Sequence, residues 1–499
     1  MESAPRRART GHDRLPARRQ DGALSPRTRG RNAAGTGRGA RDRPGRRRRP
    51  LRRRRERGDR RRVPAHPARS PAAPAGDRAD LERPARVAAL ISPRPPHRRL
   101  LLVDADAFYV AVARLVDPEG AGKARLLIVG GSPERRGVVT SASYDARAYG
   151  VHSAMPMARA VRLCPGATVV PVPWEACAGK SREIRDVLGR FTPAMEQASS
   201  DEFYLDLTGT EKLYGGEPLA ATAGRIRAAV SEATSLSVSI GGGTSKLVAK
   251  LAAGRAKPRP GAAASSDGVC IVAPGAEAEF LLQFALADLP GVGPKAQARL
   301  ARLGWRTVRD VAPLERSALV ARLGEREGTW LYDRVRGVDR SSVEPEREAK
   351  SLSRDETFAA DVDDDAALGA KLRALADRAS ADLRDLGLAA RTVAVKLRDA
   401  DFTTRQASRT LPEAVRSDRA VSVVARQLLR RLRATRRMPA RLLGVALSHL
   451  VRGGPDAQLP LLDVPPESSV ETERDRAIAR AIDAARQRFG PDALGRGNP

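Results

Sequence analysis

Along this chain the spacing of apolar and polar positions changes rhythm several times. Residues 100 to 105 form a short, almost continuous apolar run, LLLVDA, the pattern of a strand covered on both faces. Short helical and strand segments rich in small residues follow between 117 and 170. In SSDEFYLDLTG (199 to 209), alternation with aromatic residues predicts a strand or hairpin. The stretch SLSVSIGGGTSKLVAKLAAGRAKP (235 to 258) predicts a strand, a glycine turn, and a helix carrying Lys246 and Lys250 at i and i+4. Strand, helix, hairpin, helix and strand in that order predict an α/β layer with helices behind a mixed sheet.

Further on, LADLPGVGPKAQARLARLGWRTVRDVA (286 to 312) reads as a helix, a Gly-Val-Gly turn and a second helix. A charged connector (339 to 350) leads into strand (351 to 358), helix (363 to 386), strand (391 to 398), strand (403 to 411), helix (418 to 433) and strand (441 to 449). This βαββαβ order predicts a separate compact domain. One more amphipathic helical stretch is predicted over about 470 to 489.

Composition adds a partner class. The 499 residues contain 90 Lys and Arg against 59 Asp and Glu, a formal charge of +31, which favours a nucleic-acid partner. About two thirds of that charge sits in residues 1 to 97, which hold 29 Arg, 9 acids and no Lys. With many Pro, Gly and Ala and no apolar period, this segment is expected to be disordered, either an upstream extension or a basic nucleic-acid-binding tail. The basic excess of +11 in the other 402 residues stands apart from it. Three widely spaced cysteines, with no CxxC pair, and five histidines argue against a disulfide framework and a structural zinc site. With no apolar stretch of membrane-spanning length and no secretory signal, the expected location is the cytoplasm, at the nucleoid.

The candidate chemistry lies in the acids. Asp104 sits at the end of the first predicted strand, and Asp201-Glu202 at the tip of the predicted hairpin. If the hairpin pairs beside that strand, three carboxylates meet at one sheet edge, where they need cations, and hard oxygen ligands select Mg²⁺ or Mn²⁺. Two such ions would activate an attacking hydroxyl and stabilise a leaving pyrophosphate. Asp106 is open between a supporting group and a helix cap, and Asp206 is taken as structural. In the Leu-Pro-Gly-Val-Gly-Pro-Lys string, Gly291 and Gly293 let backbone approach an anion, beside Lys295 and a helix N-terminus with free N–H groups. This is a helix-hairpin-helix grip on DNA backbone.

These motifs resemble, in order and spacing over about 98 to 462, the Y-family translesion DNA polymerases of the bacterial DNA polymerase IV type. VDADAFYVAVA resembles the family's first palm strand, SASYDARAYGVHSAMP (141 to 156) its fingers motif, SSDEFYLDLT its catalytic acidic pair, and SIGGGTSKLVAKLAAGRAKP its palm helix with the triphosphate lysine. The resemblance implies a right-hand, multidomain α/β polymerase: palm (98 to 106 and 174 to 264), small fingers (107 to 173), helix-hairpin-helix thumb (265 to 338), linker (339 to 349), little finger (350 to 451) and a tail (452 to 499). It implies metal ligands Asp104, Asp201, Glu202 and the Ala105 carbonyl, a steric gate at Tyr109 with Phe108 supporting the incoming sugar, and triphosphate contacts from Ser141, Tyr144, Arg147 and Lys257. The family's Lys-Pro-Asn-Gly reads Lys257-Pro258-Arg259-Pro260-Gly261 here, keeping the lysine and changing the loop.

QLPLL (Gln458, Leu459, Leu461 and Leu462 about Pro460) resembles the bacterial sliding-clamp peptide, with 37 residues after it. The implied activity is template-directed addition of deoxynucleotides to a primer 3′ end, with low fidelity and no proofreading exonuclease, by a monomer. A nucleotide cyclase shares such a palm but lacks the thumb and clamp motifs. A catalytically silent DNA-binding scaffold would not need Asp104, Asp201, Glu202, Tyr109 and Lys257 together.

Overall fold

A computed structural model describes residues 97–258, 267–346, 348–452, 470–490 and 493–494. The arginine-rich stretch expected to be disordered lies outside them up to residue 96, as does the clamp-like segment at 458–462.

The first strand, β1 (Leu100–Ala105), is buried at all six positions. Helix α1 (Phe108–Val116) follows after Ala107 in the left-handed region. A three-stranded sheet comes next, from β2 (Leu127–Gly130), β3 (Val139–Ala142) and, after α2 (Tyr144–Ala148) and α3 (Met157–Leu163), β4 (Thr168–Val170), in the order β3-β2-β4. The chain then returns to β1 through α4 (Trp174–Gly189), the hairpin β5 (Met195–Gln197) and β6 (Glu202–Asp206), α5 (Leu219–Thr234), β7 (Val238–Gly243), α6 (Lys246–Ala256) and β8 (Val269–Ile271).

These strands form a five-stranded sheet, β5-β6-β1-β7-β8, with β1 at its centre and antiparallel to both neighbours. Side chains alternate across it. Leu101, Val103 and Ala105 pack with Ile184 and Leu188 of α4 and Ile226 and Val230 of α5, while Leu102 and Tyr204 pack with Ala249 and Ala253 of α6. Burial on both faces is why β1 reads as a continuous apolar run. Asp104 therefore shares the α6 face with Leu102, and its cross-strand partner is Glu202.

Two expectations need correction here. Gly241 and Gly243, read from sequence as part of a turn, lie in β7. A Cβ on Gly241 would stand 1.9 Å from the Ala253 nitrogen and 2.2 Å from the Ala249 oxygen, so the glycine lets α6 press its backbone onto the strand. The turn is made by Thr244 and Ser245, whose hydroxyl accepts from Val248 N–H and caps α6. The second concerns β8, which falls in the stretch assigned to the thumb but pairs parallel with β7 and extends the five-stranded sheet.

The next unit is helical: α7 (Glu277–Leu281), α8 (Pro294–Arg302), α9 (Val308–Val311), α10 (Arg316–Leu323) and α11 (Glu325–Arg334) around Leu300, Val308, Leu319 and Leu331. The expected first helix of the hairpin-helix motif is a single 3₁₀ turn, Leu286–Asp288, cut short before Pro290. The connector is strapped along the five-stranded sheet: Arg98 donates to the Ser341 carbonyl (2.8 Å), Glu344 N–H donates to Glu196 (2.9 Å), and Val343 packs on Leu102 and Tyr204.

The last unit runs β9 (Ser351–Val362), α12 (Asp365–Asp385), β10 (Leu388–Asp399), β11 (Thr404–Val415), α13 (Asp418–Thr435) and β12 (Ala440–Arg452). Its antiparallel sheet, β11-β10-β12-β9, has both helices on one face. Helix α14 (Glu473–Phe489) docks on it through Asp483, which accepts from Arg384 at 2.6 and 2.7 Å. No helix among the described residues is long and apolar enough to cross a membrane.

Candidate active site

The acidic centre forms where β1 ends beside the β5–β6 hairpin. The antiparallel register sets Asp104 directly opposite Glu202, and the Ala105 N–H donates to the Asp201 carbonyl at 2.9 Å. Asp201 sits in the hairpin turn, its carboxylate accepting from the Ser199 hydroxyl at 2.6 Å. Asp104 is 9% exposed at its side chain, and Lys257 Nζ lies 2.8 Å from its Oδ2. Burial pushes the Asp104 carboxyl up to about 6; Lys257 opposes that rise, and the charges of Glu202 and Asp201 add to it. Glu202 receives Lys250 Nζ on both oxygens, at 2.7 and 2.8 Å.

Hard carboxylate oxygens close enough to repel one another fit a divalent cation, and two lysines supply countercharge beside them. Each acid is turned toward its own hydrogen-bond partner, so among the described residues no three Asp, Glu, His or Cys side chains stand within joint reach of one ion.

Asp106 points elsewhere. Its two oxygens accept from Ser237 Oγ (2.8 Å) and Ser239 Oγ (2.7 Å), and the Tyr144 hydroxyl lies at 3.5 Å. Helix α1 has no side-chain cap, so of its two sequence readings Asp106 takes the supporting one. Asp206 is structural, accepting from Thr208 N–H at 2.9 Å.

Phe108 is buried and meets the Tyr109 ring edge-on at 5.3 Å between centroids. Tyr109 also meets Trp174 at 6.1 Å, and its hydroxyl is 3.1 Å from Ser200 Oγ, which ties it to the acidic hairpin. Ser141 ends in β3 and Tyr144 opens α2, capped by Ser143. Arg147, one turn on, stacks over the Tyr144 ring at 5.0 Å, donates to the Ala142 carbonyl (2.9 Å), and reaches Ser141 Oγ at 3.5 Å. Burial, then the negative charge of Asp106, raises the Tyr144 phenol; Arg147 opposes the rise and Asp104 adds to it.

Gly291, Gly293 and Lys295 stand apart from that centre, exposed in the helical unit. Gly291 has φ +100°, and a Cβ there would meet the Trp330 ring at 2.8 Å. Gly293 is the N-cap of α8, which opens with the exposed Pro294 and Lys295 and has no side-chain cap. Gln458, Leu459, Leu461 and Leu462 lie outside the described residues.

Sequence reasoning missed Ser237, Ser239, Ser200 and the pairing of Lys250 with Glu202. The alternating serines of SLSVSIG carried a readable signal, polar residues at period two in an apolar strand.

Comparison with known proteins agrees with this geometry. Residues 103–254 match the impB/mucB/samB family, 349–461 its C-terminal domain, and 287–339 the thumb domain of DNA polymerase iota. The chain is 37% identical over 393 residues to DNA polymerase IV of Dehalococcoides mccartyi strain CBDB1, covering 79% of this chain and 95% of that one. It is 39% identical over 355 residues to DNA polymerase IV of Halorhodospira halophila, covering 71% and 95%. Among solved structures, the Y-family DNA polymerase chimera Dbh-Dpo4(243-245)-Dbh shares the fold, with TM-score 0.62 and 24% identity over 71% of this chain and 99% of that one. The chain belongs to the impB/mucB/samB family of Y-family DNA polymerases.

Proposed function

We propose that Asp104, Asp201 and Glu202, with the Ala105 carbonyl, hold the divalent ions of this polymerase, and that Mg²⁺ is the ion used. As a member of its family the protein is a low-fidelity translesion DNA polymerase that extends a primer 3′ end on a template, without a proofreading exonuclease. Bound metal supplies charge neutralisation for the attacking 3′-oxygen and the departing pyrophosphate. The observation that carries the reading is the β1–β6 register that sets Asp104 opposite Glu202, beside Asp201.

The chain's own residues do the rest. Lys257, Arg147, Tyr144 and Ser141 contact the triphosphate, with the guanidinium offering a planar fork to phosphate oxygens. Tyr109 lies under the sugar and excludes a 2′-hydroxyl, and buried Phe108 fixes that ring. The five-stranded sheet, β8 included, serves as palm, the three-stranded sheet as fingers, the helical unit as thumb and the last sheet as little finger. Gly291, Gly293 and Lys295 grip the DNA backbone. Gln458, Leu459, Leu461 and Leu462 bind the sliding clamp, which raises the enzyme's effective concentration at the primer end, and the monomer works at the nucleoid.

Primer extension with Mg²⁺ and single deoxynucleotides tests this, beside an Asp201→Ala, Glu202→Ala double variant. Template-directed extension should vanish in the variant, and added clamp should lengthen products in the parent but not after Leu461→Ala, Leu462→Ala. A double variant that still extends the primer would remove these acids from the chemistry; clamp stimulation that survives the leucine changes would remove the clamp assignment.

A further inference from the structure

Lys257 and Lys250 occupy carboxylate oxygens that a metal would need. Both come from one short piece of chain. Lys250 lies on α6, and Lys257 is the C-cap of the same helix, two turns further on the same face. Lys250 takes both oxygens of Glu202, at 2.7 and 2.8 Å, and Lys257 takes Oδ2 of Asp104 at 2.8 Å. A third lysine of the file, Lys246, holds Glu196 at 2.6 Å and lies over the Tyr204 ring at 4.5 Å, fastening the hairpin to α6.

The two ion pairs at the acids differ in how easily they can be exchanged. Lys250 is carried on the helix itself and is fixed to its partner twice. Lys257 leaves the helix in extended backbone (φ −65°, ψ 144°) and, among the described residues, makes a single ion pair, with its side chain 31% exposed. Its ammonium can rotate from Asp104 toward an incoming anion without any movement of α6. A lysine on Asp104 opposes a metal in two ways: it uses a lone pair the ion needs, and it places a positive charge within a few ångströms of a divalent cation. One ammonium cannot serve both Asp104 and a phosphate group at full strength.

We propose that Lys257 is an exchangeable internal counter-ion: it neutralises Asp104 and holds metal off in the free enzyme, and it transfers to the phosphates when a nucleotide arrives. The inference rests on the assignment of Asp104 to metal and Lys257 to phosphate made above. It adds that metal and nucleotide bind cooperatively through this one side chain, a coupling that by linkage works in both directions. The free enzyme is thereby kept from binding metal at a centre with no substrate.

The test is Mn²⁺ binding to the full chain, read from the electron paramagnetic resonance signal of free Mn²⁺, without and then with a saturating non-hydrolysable deoxynucleoside triphosphate at matched free Mn²⁺. Without nucleotide, Lys257→Met should bind Mn²⁺ about tenfold more tightly than the parent, the size of a partly screened charge removed beside the ion. Lys257→Arg, which keeps the charge, should behave as the parent does, and this variant also controls for damage to the fold. With the triphosphate present, the gap between the parent and Lys257→Met should close.

Equal or weaker Mn²⁺ binding by Lys257→Met without nucleotide, or a tenfold gap that persists with nucleotide, overturns the exchange. An Asp104→Asn variant separates this failure from failure of the underlying assignment. If Asp104→Asn loses Mn²⁺ while Lys257→Met gains none, the acids still hold metal and only the exchange is wrong. If, with the triphosphate present, Asp104→Asn binds Mn²⁺ as the parent does, the metal assignment falls, and the exchange with it.

Discussion

Two glycines in the strand–helix unit β7–α6 should respond to the same substitution with opposite sign. A methyl group on Gly241 would fall 1.9 Å from the Ala253 nitrogen and 2.2 Å from the Ala249 oxygen, both backbone atoms of α6. Backbone cannot rotate away as a side-chain tip can, so α6 must lift from the sheet. Overpacking of this kind costs about 3 kcal/mol or more, which lowers the melting transition of this unit by roughly 6–12 °C. Gly254, in α6 itself, meets nothing within 4 Å. There alanine replaces a glycine in an exposed helix interior and should stabilise by about 1 kcal/mol.

The displacement also has a functional arm, because α6 bears Lys250 and ends at Lys257. A shift of about 1 Å in such groups costs on the order of a hundredfold in rate. Thermal unfolding of Gly241→Ala and Gly254→Ala, with primer extension well below both transitions, reads the two arms. Parental melting and full extension by Gly241→Ala would refute the claim that the close strand–helix approach positions the site. Equal destabilisation by Gly254→Ala would show that the helix, and not the contact, is sensitive.

Two further outcomes follow from the geometry. Tyr109→Ala should raise incorporation of ribonucleotides relative to deoxynucleotides by about 10- to 200-fold, the range of a steric contact removed from a pocket, in single-nucleotide insertion assays; unchanged discrimination would move the gate elsewhere. Burial alone would raise the Asp339 carboxyl, but hydrogen bonds from the Ser341 hydroxyl and N–H, and then Arg334, outweigh it and hold the group below its ordinary range. The stability it contributes is therefore complete above about pH 4, the unfolded value, and is lost as pH falls below that. Asp339→Asn should remove this acid-side dependence in urea unfolding followed from pH 3 to 7, and a variant whose pH profile matched the parent's would refute it.

What could be read in the sequence depended on whether its signal was local. The β1 run, the βαββαβ order from β9 to β12 and the tail helix were legible because each carries its own period over enough residues to be decisive. The three glycines of β7 were ambiguous for a physical reason: glycine marks both a turn and a close backbone approach, and only the packing of Ala249 and Ala253 distinguishes them. Val269–Ile271 is too short to announce itself, and it becomes a strand only by pairing with β7. In the acidic centre, residue types and the hairpin were visible, but the partners were not. Ser239 reaching Asp106, Lys250 reaching Glu202 and Lys257 reaching Asp104 are contacts made by the sheet and its helix, across long separations in sequence.

That division bears on how the site works. On the proposed function, the residues legible from motif alone are those that touch substrate or metal, while the partners that only the fold reveals are lysines that balance the charge of the acids. A buried carboxylate such as Asp104 is costly to keep ionised without a cation. A polymerase that must release its pyrophosphate and accept a new triphosphate at every step cannot depend on bound metal to meet that need throughout the cycle. A lysine at the end of α6 meets it from within the chain, and because its backbone is already extended it can yield Asp104 without disturbing the helix. The packing of α6 on Gly241 and the pairing of Lys257 with Asp104 thus serve one requirement, a cation held at fixed distance from the acids yet free to leave them.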